Sequence, residues 1–162
     1  MSAPRRADAD AADAVGAAAV DAVDAVEVLQ GVLAAEHAAI YAYGVAGAFL
    51  PGQAQREARA AHAGHLARRD RLAARVADSG EIPVAPAPIY DLPAPVTDPA
   101  TAQALATVVE ERLAAVWADA VAIPEPEFRR IAALALQETA VRAARWRGAS
   151  VPFPGLPERS GR

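Results

Sequence analysis

"GEIPVAPAPIYDLPAPVT", residues 80 to 97, is the stretch whose reading decides the fold. Five prolines in eighteen residues forbid a helix and leave an extended chain. At roughly 3 Å per residue it reaches about 55 Å. A helix of about 25 residues is only about 37 Å long. The segment can therefore run the full length of a helical bundle and restart the next helix at the opposite end. Ile89, Tyr90 and Leu92 are expected to pack along the way. The alternative, a disordered hinge between two hairpins that each dimerise, gives those apolar residues no role.

Working outward, four segments carry helical periodicity. The first spans about Asp13 to Leu50, with Leu29, Val32, Leu33, Ile40 and Tyr43 on one stripe, and "PGQ" at 51–53 ends it in a tight turn. The second spans about Ala54 to Asp78 and stops at "DSG". The third opens at "TDPA", with Thr97 or Asp98 as N-cap and Pro99 at the first helical position, and runs to about Ala122. After "IPEPE" the fourth spans about Pro126 to Arg147. Short turns make the helices of each pair antiparallel, and one long crossover between two such hairpins is the ferritin-like arrangement. The expected architecture is an all-α antiparallel four-helix bundle over residues 13–147, with the crossover at 79–98. A disordered lead-in (1–12) precedes it, and an extended tail (148–162) follows, docked through Phe153 and Leu156.

Composition agrees. The 162 residues suffice for one domain, and 46 of them are alanine, which favours closely packed helices. All 16 basic residues are arginine, and lysine and asparagine are absent, a sign of a high-GC genome. The net charge is -4 and the arginines lie scattered among acids, so no basic stripe suits nucleic acid. Without cysteine there is no disulfide, thiolate site or thiol nucleophile. The N-terminus has aspartates where a signal peptide needs an apolar core. The longest uncharged run, Ala38 to Gln55, is broken by Gly44, Gly47, Pro51 and Gly52, so a membrane span is not expected. A cytoplasmic homodimer is the expectation.

Polar residues interrupt the apolar faces at one level. With about 100° per residue, Glu36 falls at the centre of the first helix's stripe, with His37 at its edge. On the second helix His62 and His65 share a face with Ala58, Ala61, Leu72 and Val76, and Arg69 joins them. On the third, Glu110 borders Leu105, Val109, Leu113, Val116 and Trp117, while Glu111 points away. On the fourth, Glu138 sits among Ile131, Leu134 and Val141, with Arg142 and Arg145 on the same side. Counted from the two turns, Glu36 is level with His65, and Glu110 with Glu138, each about 14 residues or roughly 20 Å away. Three carboxylates and two imidazoles should converge near mid-bundle.

On "LQGVLAAEHAAIYAYG" (29–44), "HLARRDRL" (65–72), "QETAVRAARWR" (137–147) and "FPGL" (153–156), the chain resembles the ferritin-like superfamily. Within it, the chain is similar to an uncharacterised ferritin-like family of alanine-rich proteins from high-GC bacteria, over about residues 25 to 157. The resemblance implies a carboxylate-bridged di-iron or di-manganese centre, with a Glu on each of two helices and Glu-x-x-His on each of the others. Glu36 and Glu110 meet that pattern. Helix two, however, reads His62-Ala63-Gly64-His65, and helix four reads Glu138-Thr139-Ala140-Val141. A bridging carboxylate and an imidazole are missing, and what remains suits at most a mononuclear iron, manganese or zinc site on Glu36, His62, His65, Glu110 and Glu138.

Arginine is the other partner for a buried carboxylate. Arg69, Arg142 and Arg145 could neutralise Glu36, Glu110 and Glu138, and this ion-pair account, with no cofactor, is the expectation. His37 reads as a half-exposed helix residue, Tyr41 and Tyr43 as packing groups, and Trp117 and Trp146 as anchors. Three functions follow: an oxygen-activating oxidase using iron or manganese, a metal-free bundle binding a small apolar ligand or protein partner, or a scaffold acting through homodimerisation. No glycine-rich phosphate loop or nucleophile elbow offers another enzyme class.

Overall fold

Prolines, glycines and one capping box set the helix ends. The computed structural model describes the backbone of residues 6–156 and the side chains of residues 25–156. It contains four helices, α1 (Arg6–Phe49), α2 (Gly52–Asp78), α3 (Pro99–Ala120) and α4 (Pro126–Arg147), and no strand among the described residues. At the start of α3 the Asp98 carboxylate accepts from the Thr101 backbone N–H at 2.8 Å, and Thr101 Oγ1 accepts from the Asp98 N–H at 3.1 Å. That reciprocal pair selects Asp98 over Thr97 as the cap. Gly148 closes α4 in the left-handed region, φ 77°, a backbone conformation that strains other L residues.

The first helix is longer than expected. It begins at Arg6, inside the stretch 1–12 read as a disordered lead-in. The sequence there is rich in alanine, the best helix former, with aspartates near the helix's positive end. The first five residues of that lead-in, and residues 157–162 of the tail, lie outside the described residues.

Packing runs chiefly from α2 to α1, from α1 to α3 and from α3 to α4. The apolar interior is divided in two. One cluster gathers Leu29, Val32, Leu33, Leu72, Val76, Leu113, Trp117 and Phe128. The other gathers Tyr43, Leu50, Leu105 and Trp146 around Ala42, Ala46, Ala58, Ala61, Ala102 and Ala106. Glu36, His65, Glu110 and Thr139 are buried too and belong to neither.

On α4 the structure corrects the expected inner face. Phe128, Ala132, Ala135, Thr139, Ala143 and Trp146 are buried, whereas Leu134 and Val141 are about half exposed. Alanines at 132, 135 and 143 let the α4 backbone approach its neighbours closely, and that approach buries the large aromatics at both ends of the helix. The bulkier Leu134 and Val141 would hold the helix away.

The crossover is tied to α1 step by step. Gln30 donates to the Ile82 carbonyl at 2.7 Å and accepts from the Val84 N–H at 2.8 Å. His37 Nε2–H donates to the Val84 carbonyl at 3.1 Å, which buries a histidine read from the sequence as half-exposed. Further on, the Tyr90 ring lies 5.4 Å from that of Tyr41, and Leu92 and Val96 pack on the alanine-rich cluster. Ile89, expected to pack, is 71% exposed, because the anchors on either side suffice to hold an extended chain.

The tail docks through its backbone. Phe153 is about half exposed, but Gly155 presses on α3 so closely that an added Cβ would stand 2.4 Å from the Ala114 carbonyl oxygen. Gly155 also has φ 78°, which disfavours any side chain. Gly155→Ala should therefore release the tail at a local cost of about 1–3 kcal/mol. Hydrogen exchange checks this: amides of residues 149–156 should lose protection while those of α3 keep theirs, and unchanged protection would refute the docking.

Candidate functional site

An imidazole between two carboxylates forms the centre of the polar level. Glu36 of α1, His65 of α2 and Glu110 of α3 are all fully buried. His65 Nδ1–H donates to Glu36 Oε2 at 2.7 Å, and Nε2 lies 3.3 Å from Glu110 Oε1 on its other side. Each carboxylate collects further donors. Glu36 Oε1 accepts from Trp117 Nε1–H at 3.2 Å and Arg68 Nη1 at 3.1 Å. Glu110 Oε1 accepts from the Tyr43 hydroxyl at 2.5 Å and Arg142 Nη1 at 2.9 Å. Trp146 Nε1–H in turn donates to the Tyr43 oxygen at 2.8 Å, and the Tyr43 ring stacks on His65 with centroids 5.2 Å apart. All four helices contribute.

The charges adjust to one another. Burial alone would push the imidazolium of His65 down, but the bonds to Glu110 and Glu36 and their charges outweigh it, so its pKa stands above the ordinary 6.5. Burial would raise the Glu110 carboxyl, yet His65, Arg142 and Tyr43 together hold it below the ordinary 4.5. Burial also discourages ionisation of Arg142 less than the adjacent Glu110 favours it, so its pKa rises. Tyr43 is raised by burial first and by the Glu110 charge second, and it stays a neutral donor.

The sequence expectations meet this geometry unevenly. Glu36, His65 and Glu110 come together, and Arg142 is their neighbour. Glu138 is not at the centre: its side chain is 62% exposed and accepts from Arg68 Nη2 at 2.5 Å at the surface. His62 is half-buried and makes no side-chain hydrogen bond among the described residues. Arg69 pairs with Asp70 at 2.7 Å, and Arg145 is exposed. Arg68 takes the place given to Arg69. It lies three residues after His65, a spacing that shares a face as well as four does. Tyr43 and Trp117 each stand seven residues beyond a buried glutamate, and that two-turn spacing was the available signal of their polar role.

The residues present do not fit a dinuclear centre. A metal needs donors converging on one point, whereas the two ring nitrogens of His65 point to different carboxylates. Those carboxylates are already neutralised by guanidinium groups. Among the described residues, no set of three or more His, Asp or Glu side chains is arranged to hold a metal ion. One buried side-chain atom among them, Glu110 Oε2, has no partner.

Residues 28–158 match the family model described as "Domain of unknown function (DUF4439)". A solved structure described as that of a conserved hypothetical protein, rv2844, from Mycobacterium tuberculosis is 34% identical, with a TM-score of 0.74 over 77% of this chain and 96% of that one. No curated protein is significantly similar.

Two outcomes follow from the geometry. His65, raised, contributes stability that is fully present below pH 6.5 and lost as pH climbs through its folded value; Glu110, lowered, contributes stability present above pH 4.5 and lost as pH falls through its own. Urea midpoints across pH should therefore peak between 4.5 and 6.5, and in His65→Gln the decline above 6.5 should flatten. Tyr43→Phe keeps the shape but strips Trp146 of its acceptor and Glu110 of a donor. It should cost about 1–3 kcal/mol in denaturant unfolding; no loss would mean the hydroxyl is only packing.

Proposed function

The chain belongs to the DUF4439 family, and we propose that it is a ferritin-like bundle whose metal position has been taken over by a Glu/His/Arg ion-pair network, so that it serves as a binding scaffold and not as an oxidase. The observation that carries this reading is the position of Arg68 and Arg142. Each guanidinium lies on one of the two buried carboxylates that the dinuclear pattern would use, at 3.1 Å from Glu36 and 2.9 Å from Glu110. A cation is needed there in either case, because an unpaired buried carboxylate is prohibitively costly. Arginine meets the need with a charge that never titrates in the ordinary range. The path of the crossover along α1, from Gln30 through His37 to Tyr41, supports the ferritin-like arrangement.

One observation favours the alternative, an iron- or manganese-dependent enzyme with a reduced site. The partnerless Glu110 Oε2 is a buried donor available to a cation. A single metal there would have to recruit Glu36 or His65 away from its present bonds and push Arg142 aside.

Metal content separates the two. Untagged protein, purified without chelator from cells supplemented with iron and manganese, should carry far less than one metal per chain by inductively coupled plasma mass spectrometry. About one per chain would replace the scaffold reading with the enzyme. Stability gives a second readout. Glu36→Ala should cost about 3–5 kcal/mol by leaving Arg68 and His65 short of a partner. Replacing Glu36, His65, Arg68, Glu110 and Arg142 together by apolar residues should recover most of that loss. If stability instead tracks added metal or chelator, the ion-pair account is wrong.

A further inference from the structure

The α2 and α4 helices face each other across an open seam, since the close packing runs through α1 and α3. Between them lies a cleft of about 540 Å³, within the range of roughly 300–1,000 Å³ typical of small-molecule sites. Its floor is apolar: Leu72, Trp117 and Phe128 are buried, and Ile131 and Leu134 carry the surface outward. Its walls carry Arg68, Arg71, Arg75 and Arg130 against only two lining acids, Asp78 and Glu138. Arg75 pairs with Glu125 and covers the Phe128 ring, but Arg130 makes no ion pair among the described residues. Arg71 donates its Nε–H to the Ala67 carbonyl of its own helix and forms no ion pair among them either.

The chemistry of an occupant is visible in what Glu138 does. Its carboxylate sits on Arg68 Nη2 at 2.5 Å, yet its side chain is 62% exposed while that of Arg68 is only 12% exposed. A mostly buried guanidinium at the inner end of an apolar floor is thus covered by a carboxylate that can swing into water at little cost. We propose that the α2/α4 cleft binds an amphipathic carboxylate, with its acyl or aryl body on Ile131 and Leu134, above the buried Trp117 and Phe128, and its head group displacing Glu138 from Arg68. In this arrangement Glu138 is an internal competitor that occupies the anion position until the ligand arrives, and Arg71 and Arg130 attract the ligand to the mouth. The assignment deepens the scaffold reading by naming a ligand class, and it does not depend on metal content, which is measured separately.

The test uses the full chain, with anilinonaphthalenesulfonate fluorescence as the readout and decanoate and decanol as competitors. Decanoate should displace the dye at a stoichiometry of one per chain, and decanol should do so at least about tenfold less well, the worth of a charge-assisted hydrogen bond. Glu138→Gln, at an exposed position, should tighten decanoate severalfold by removing the competitor. Leu134→Asp, also at a half-exposed position, should weaken it about tenfold or more by placing a charge on the apolar floor. Circular dichroism confirms that both variants fold. Equal displacement by decanol, or indifference to both substitutions, would overturn the proposal. So would sedimentation showing that Leu134→Asp breaks a dimer while the parent takes up no dye, which would assign the cleft to a second copy of the chain.

Discussion

The structure depends on one imidazole shared between two buried carboxylates. Glu36 and Glu110 sit on different helices at full burial, where an unpaired charge would cost more than the whole domain's net stability. His65, from a third helix, reaches both. Trp117 and Arg68 complete the bonds on one side, and Tyr43 and Arg142 on the other. The bonds of Glu36 need α1, α2 and α3 at one relative height, and those of Glu110 bring in α4 as well. The apolar clusters above and below are less demanding. Six alanines line one of them, and smooth alanine faces could slide past each other by a turn, about 5.4 Å, with modest loss. The polar level supplies the register that the alanine-rich core leaves loose.

The same network shapes the surface. Arg68 and Arg142 approach the centre from the side where α2 and α4 face each other. Long guanidinium side chains need room to enter, and helices separated by them cannot close as tightly as α3 and α4 do over alanine. The cleft is a consequence of this arrangement: Arg68 stands in its wall, a buried aromatic floor lies behind it, and a surface glutamate caps it. With Arg68 on a buried carboxylate, the chain gains a groove whose wall is cationic beside its polar centre.

The backbone of the fold was legible because its signals are local. Proline, glycine and capping residues act within a few positions, so α2 to α4 fall within about two residues of where the punctuation puts them. The crossover declared its path through length and proline content. The level of Glu36, His65 and Glu110 was legible too, since 1.5 Å per residue counted from the turns gives height with little error. That α1 extends to Arg6 was missed because aspartate-rich sequence suggests solvation, whereas alanine propensity dominates there.

What the sequence could not decide was rotation. A helix side chain moves about 100° around the axis per residue, so the choice between Arg68 and Arg69, or between Glu138 and Thr139, turns on which face its neighbours select. On α4 the large aliphatics pointed one way and the alanines another, and close approach, a property of two helices together, settled it for the alanines. The same holds for Tyr43, Trp117 and Trp146. Their positions on the inner face follow from periodicity, but an aromatic becomes a hydrogen-bond donor only where another helix brings an acceptor within reach. Helix ends, lengths and heights belong to the chain alone; facing and partnership arise when the four helices pack.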